Sequence, residues 1–102
     1  MTRREKLETM LAGSPDDPFL RYALALELAS EGDAAGAIAK LKNMLQVTPD
    51  YVPAYFQLAQ LQAGQGQVDE ARPVLARGIE MARRAGDTHA EGEMRGFLDQ
   101  LG

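Results

Sequence analysis

Length, composition and charge limit the classes to which this chain can belong. Its 102 residues fit one domain of ordinary globular composition, with 45% apolar and 25% charged residues, which allows a modest core. A net charge of -4 argues against a nucleic-acid surface, and the absence of cysteine excludes disulfides and thiolate metal sites. No signal-peptide pattern and no long apolar run is present, so we expect no membrane span and take the cytoplasm as the default location.

Helix-breaking sequences recur along the chain and predict where the first three helices begin. The first helix opens with Thr2-x-x-Glu5, a capping-box pattern. The turn "GSPDDP" precedes the second helix, where Asp17 can cap and Pro18 suits the first helical position. The sequence "EGD" ends that helix and offers Asp33 as the cap of the third.

The later breaks complete a prediction of six helices. "TPDYVP" separates the third helix from the fourth, with Asp50 predicted as a cap and Pro53 in the first turn. "GQGQVD" and "AGD" bound the fifth helix. Apolar residues between the breaks follow helical spacing, and no segment alternates as a strand would. We therefore expect helices of about 10 to 18 residues, joined by loops of about two to five that make consecutive helices antiparallel.

A repeat of 34 residues relates the second and third helices to the fourth and fifth. The identical pairs are Leu24 and Leu58, Ala25 and Ala59, Ala29 and Ala63, Gly32 and Gly66, Ala37 and Ala71, and Leu41 and Leu75. This pattern resembles the tetratricopeptide repeat family, whose helical hairpins bury apolar surface by stacking on further copies. The alternative is a plain antiparallel helical bundle.

The resemblance implies an all-α fold of antiparallel helix-turn-helix repeats that form a short right-handed superhelix. It predicts a single domain over residues 1–102, in which a flanking helix (1–16) and a capping helix (86–102) enclose two repeat units (18–51 and 52–85). Both flanking helices have a polar outer face, which predicts a complete small protein with water-exposed ends.

Two residues depart from the family pattern. Arg21 stands where the family has tryptophan, and Arg83 stands where it has a closing proline. The second departure predicts that the fifth helix continues to about Arg84.

The second predicted helix carries apolar residues on two sides. Leu20, Leu24 and Leu28 form one stripe, which we expect to face the core. The resemblance implies that the other stripe and its counterpart on the fourth helix line a concave groove for peptides. The predicted groove residues are Phe19, Tyr22, Leu26, Ala29, Phe56, Gln57, Gln60 and Ala63. The same stripe could instead belong to the core, be covered by the sixth helix or form a homodimer contact.

The sequence offers no set of residues typical of catalysis or of metal binding. His89 is the single histidine and is predicted to be a surface residue, while Ser14 and Ser30 sit at helix ends. No basic clamp for a C-terminal carboxylate is visible on the predicted groove. We therefore expect no cofactor, no metal and no enzyme, but an interaction module that binds a protein or peptide segment. The alternative is a structural protein that uses the apolar stripe to form a homodimer.

Overall fold

The computed structural model describes all 102 residues, Met1–Gly102, and its regular elements are all α-helices. The helices are α1 (Arg3–Gly13), α2 (Pro18–Ser30), α3 (Ala34–Val47), α4 (Val52–Gly64), α5 (Val68–Ala85) and α6 (Thr88–Leu101). The predicted all-α fold of six helices is therefore confirmed.

The predicted caps of the first three helices are also confirmed. The Glu5 N–H donates to Thr2 Oγ1 at 3.1 Å, and the Thr2 N–H donates to Glu5 Oε1 at 2.9 Å, which completes the capping box of α1. Asp17 and Asp33 each accept a hydrogen bond from the main-chain N–H three residues ahead, at 3.2 and 2.8 Å. Pro18 is the first residue of α2, where its missing N–H costs nothing.

The predicted cap of α4 is wrong. The N-cap residue is Tyr51, one position after Asp50, and no side chain caps this helix. Had Asp50 been the cap, the third helical residue would be Pro53, which has no N–H to donate. The helix instead begins one residue later, and the Ala54 N–H donates to the main-chain oxygen of Tyr51 at 3.2 Å.

Helix α5 continues through Arg84 to Ala85, which confirms the predicted extension. Gly86 follows as the C-terminal cap of α5, and its φ of 71° places it in the left-handed region that glycine adopts without a steric cost. Pro73 lies inside α5 and cannot donate a helical hydrogen bond.

The chain divides into two compact units, Met1–Thr48 and Pro49–Gly102. In the first unit α2 packs against both α1 and α3, and in the second unit α4, α5 and α6 pack against one another. The α2–α3 and α4–α5 hairpins bury equivalent residues of the 34-residue repeat. Fully buried in both hairpins are Ala25 and Ala59, Ala37 and Ala71, and Leu41 and Leu75. The repeat therefore places the same small and large side chains in the core of each unit.

The second unit also contains a close approach of helices that the sequence analysis did not identify. A Cβ atom added to Gly78 of α5 would lie 2.6 Å from Tyr55 Cβ of α4 and 2.6 Å from Met94 Sδ of α6. All three residues are buried. Only glycine leaves room for three helices to meet at this point.

Candidate functional site

The predicted groove residues of the first unit lie on one side of α2, and we call Phe19, Tyr22, Leu26 and Ala29 the α2 face. Phe19 is 65% exposed, so its ring is outside the core of the chain. Tyr22, Leu26 and Ala29 are half-buried. The α2 face therefore combines one exposed aromatic ring with three partly buried side chains.

A shallow pocket of about 370 Å³ opens on the α2 face. Its apolar lining includes Phe19, Tyr22 and Leu26, and its polar lining includes Arg3 of α1 and Glu27 of α2. The Arg3 Nε atom lies 3.3 Å from Glu27 Oε2, so the two opposite charges on the rim compensate each other. The pocket therefore offers apolar surface within a rim of nearly neutral charge.

The predicted groove residues of the second unit lie on α4, and we call Phe56, Gln57, Gln60 and Ala63 the α4 face. The Phe56 ring meets the Phe97 ring of α6 edge to face, with centroids 5.8 Å apart and an interplanar angle of 71°. Gln57 and Ala63 are half-buried, and Gln60 is exposed. Helix α6 thus contacts the aromatic residue of the α4 face, whereas the corresponding ring position on α2, Tyr22, borders an open pocket.

The basic residues near the end of α5 belong to ion pairs within the second unit. Glu80 binds Arg83 at 3.0 Å and Arg84 at 3.2 Å, and Glu91 of α6 binds Arg95 at 2.9 Å. Arg83 also lies 3.6 Å from Glu91, which joins the two helices. These charges pair with one another at the surface of the second unit.

Polar side chains elsewhere in the chain have structural contacts. His89 is largely exposed and lies 3.3 Å from Glu93, and no group of three or more His, Asp or Glu side chains could hold a metal ion. The hydrogen bond from the Thr2 main-chain N–H holds the pKa of Glu5 below its usual value, as expected for a capping box. None of the six helices combines the length and the apolar character that crossing a membrane requires.

Paired helical hairpins with the same small residues buried in each define a helical repeat protein. A model of the family described as "Tetratricopeptide repeat" matches residues 28–90. The chain therefore belongs to the tetratricopeptide repeat family, whose fold generally mediates protein–protein interaction.

Three proteins are similar to this chain, and two of them carry the name of the tetratricopeptide repeat. The TPR repeat-containing protein PA0015 of Pseudomonas aeruginosa is 33% identical over 97 residues, which cover 95% of this chain and 92% of that protein. The solution structure of a tetratricopeptide repeat domain protein from Salinibacter ruber is 34% identical, with a TM-score of 0.82, and the match covers 85% of this chain and 88% of that one. The solution structure of protein BPP2914 from Bordetella parapertussis is 31% identical, with a TM-score of 0.85, and the match covers 99% of this chain and 88% of that one.

Proposed function

We propose that this protein is a non-enzymatic interaction module that binds a peptide or protein segment through the α2 face. One observation carries the proposal: Phe19 is 65% exposed at the edge of a pocket whose lining includes Tyr22 and Leu26. An aromatic ring held next to half-buried apolar side chains can bury further area without a rearrangement of the core.

The expected contribution of Phe19 follows from its exposure. Complete burial of a large apolar side chain contributes about 1.5–3 kcal/mol, and Phe19 has about two thirds of its surface left to bury. Its burial by a partner would therefore stabilise a complex by about 1–2 kcal/mol, or roughly 5- to 30-fold in affinity. Micromolar binding corresponds to about 8 kcal/mol net, so Phe19 would act as one anchor and further contacts along the bound segment would supply most of the free energy.

The chemistry of the pocket indicates the kind of segment it would bind. Arg3 and Glu27 neutralise each other on the rim, so a net charge on the ligand gains little there. A segment with a bulky aliphatic or aromatic side chain fits the apolar lining between them. The α4 face is more polar, because it carries Gln57 and Gln60. The affinity of a Gln60→Ala variant for the same peptides measures whether the α4 face contributes to binding.

A peptide library displayed on phage and selected against the wild-type protein tests this proposal. Selected peptides should carry a bulky apolar residue at one shared position, and they should bind the Phe19→Ser variant roughly 5- to 30-fold more weakly. Val47→Ser is the matched control, because Val47 is 60% exposed but lies on α3, outside the α2 face. Equal loss of binding in both variants, or no loss in Phe19→Ser, would contradict the proposal.

The alternative occupant of the α2 face is a second copy of the chain. Sedimentation velocity from about 1 to 200 μM separates the two cases, since a dimer that uses this face dissociates in Phe19→Ser and persists in Val47→Ser. A wild-type protein that stays monomeric across this range while it binds selected peptides supports the interaction module.

A further inference from the structure

A second pocket, of about 300 Å³, lies in the first unit between α1, α2 and α3. Its lining includes Leu11 of α1, Arg21 and Leu24 of α2, and Lys40 and Asn43 of α3. At 100° per residue, Leu24 projects from the opposite side of α2 to the α2 face, and the lining of this pocket shares no residue with the lining of the pocket on that face. This pocket is therefore separate from the surface to which we assign partner binding.

The pocket contains two positive charges that the chain does not neutralise. Arg21 is half-buried, yet neither Arg21 nor Lys40 has an ion-pair or hydrogen-bond partner for its side chain. No Asp or Glu lines the pocket. Ion-paired arginines elsewhere in the chain are Arg3, Arg4, Arg72, Arg83, Arg84 and Arg95. A guanidinium without a counter-charge leaves its hydrogen-bonding capacity available to a ligand.

The repeat does not require an arginine at the position of Arg21. The residue 34 positions later is Tyr55, which is 3% exposed and donates a hydrogen bond to the main-chain oxygen of Pro49 at 2.6 Å. In the second unit this position therefore holds a packed aromatic residue. In the first unit it holds a cation that borders an open pocket.

We propose that this pocket binds a small amphipathic anion, with a carboxylate or phosphate head and a short apolar body. Arg21 would bind the anionic group through two parallel N–H donors. Lys40 would contribute a second positive charge, and Asn43 would donate an amide N–H. Leu11 and Leu24 would cover the apolar body. The volume lies at the lower end of the range of small-molecule sites, so the ligand is small.

Titration of the ¹⁵N-labelled protein with octanoate, octyl phosphate and octanol tests the proposal. Both anions should shift the amide signals of α2 and α3 around Arg21 and Lys40 in a saturable way, whereas neutral octanol should bind at least about tenfold more weakly. The anion that binds more tightly shows whether a carboxylic acid or a phosphate ester is the preferred head.

Paired variants separate a specific site from general charge attraction. Arg21→Gln combined with Lys40→Gln should weaken anion binding at least about tenfold. The control combines Lys6→Gln with Arg77→Gln, since it removes the same charge from two exposed, unpaired side chains outside the pocket and should leave the affinity unchanged. The proposal is overturned by equal weakening in both double variants, by the absence of saturable binding, or by shifts confined to the α2 face.

Discussion

The sharpest test of the packing described above is the substitution Gly78→Ala. The new methyl carbon would lie 2.6 Å from Tyr55 Cβ and 2.6 Å from Met94 Sδ. Non-bonded carbon atoms prefer separations of about 3.5–4.0 Å, so the overlap is about 1 Å on two sides. Met94 can turn its flexible side chain away, but Tyr55 Cβ is attached to the main chain of α4 and moves only with that helix.

The expected magnitude follows from two opposing effects. Overpacking a buried site costs about 1–3 kcal/mol, and the fixed position of Tyr55 Cβ favours the upper end. Alanine gains about 1 kcal/mol over glycine in a helix interior. The net loss should be about 2 kcal/mol, which corresponds to a fall of roughly 8–16 °C in Tm for a chain of this size.

Urea denaturation followed by circular dichroism measures this change, and Gly96→Ala provides the matched control. A Cβ at Gly96, inside α6, would meet no atom within 4 Å, so the same chemical change should stabilise the protein by about 0.5–1 kcal/mol. If Gly78→Ala proves as stable as the wild type while Gly96→Ala gains stability, α4 and α6 do not approach α5 as closely as described here.

Three further predictions concern the buried amide of Gln62, the aspartates before α3 and α4, and the pKa of Glu5 in the capping box of α1. Gln62 is 1% exposed and its Oε1 atom has no hydrogen-bond partner, so Gln62→Leu should raise the free energy of unfolding by about 1–2 kcal/mol in urea denaturation. Asp33→Ala removes the cap of α3 and should cost about 1 kcal/mol, whereas Asp50→Ala should change the stability by less than about 0.5 kcal/mol. Because its pKa is lowered in the folded state, Glu5 should stabilise α1 at pH values above its unfolded-state pKa, and this contribution should be lost as the pH falls through the lower folded-state value. An NMR titration of the Glu5 carboxyl carbon measures that pKa, which should return towards its usual value in Thr2→Ala.

Each of these predictions has a result that would contradict it. Destabilisation by Gln62→Leu would mean that the amide oxygen has a partner, and Gln60→Leu controls for added apolar surface because Gln60 is exposed. Equal losses of stability in Asp33→Ala and Asp50→Ala would contradict the assignment of Asp33 as a cap and Asp50 as a loop residue. An unchanged Glu5 pKa in Thr2→Ala would show that the Thr2 hydroxyl does not contribute to it, because the main-chain N–H that donates to Glu5 remains in this variant.

At the start of α4, the capping rule applied to a single residue gave the wrong N-cap. The rule that an aspartate before a helix caps it holds at Asp17 and Asp33, where the following turn can donate its N–H groups. At Asp50 the same rule fails because Pro53 removes one of those donors. The sequence therefore contains the reason for this failure, but only when Asp50 and Pro53 are considered together.

Less of the candidate site than of the fold could be predicted from the sequence. Helical periodicity placed Phe19, Tyr22 and Leu26 on one side of α2, but it could not state how much of each ring or side chain a neighbouring helix covers. Exposure of Phe19 and the contact between Phe56 and Phe97 depend on how α1 and α6 pack, and no spacing within α2 or α4 encodes that. The assignment of these residues to a shared groove stays a prediction.

The amino-acid sequence was sufficient to predict the six helices, the caps of the first three and the 34-residue repeat, because periodicity, turn residues and capping are properties of neighbours along the chain. The tertiary structure alone decided which side chains meet from different helices. It placed Gly78 between Tyr55 and Met94, and it brought Arg21 and Lys40 to one pocket without a counter-charge. Such contacts join side chains of different helices across a turn, so they follow from packing geometry and not from the pattern within any one helix.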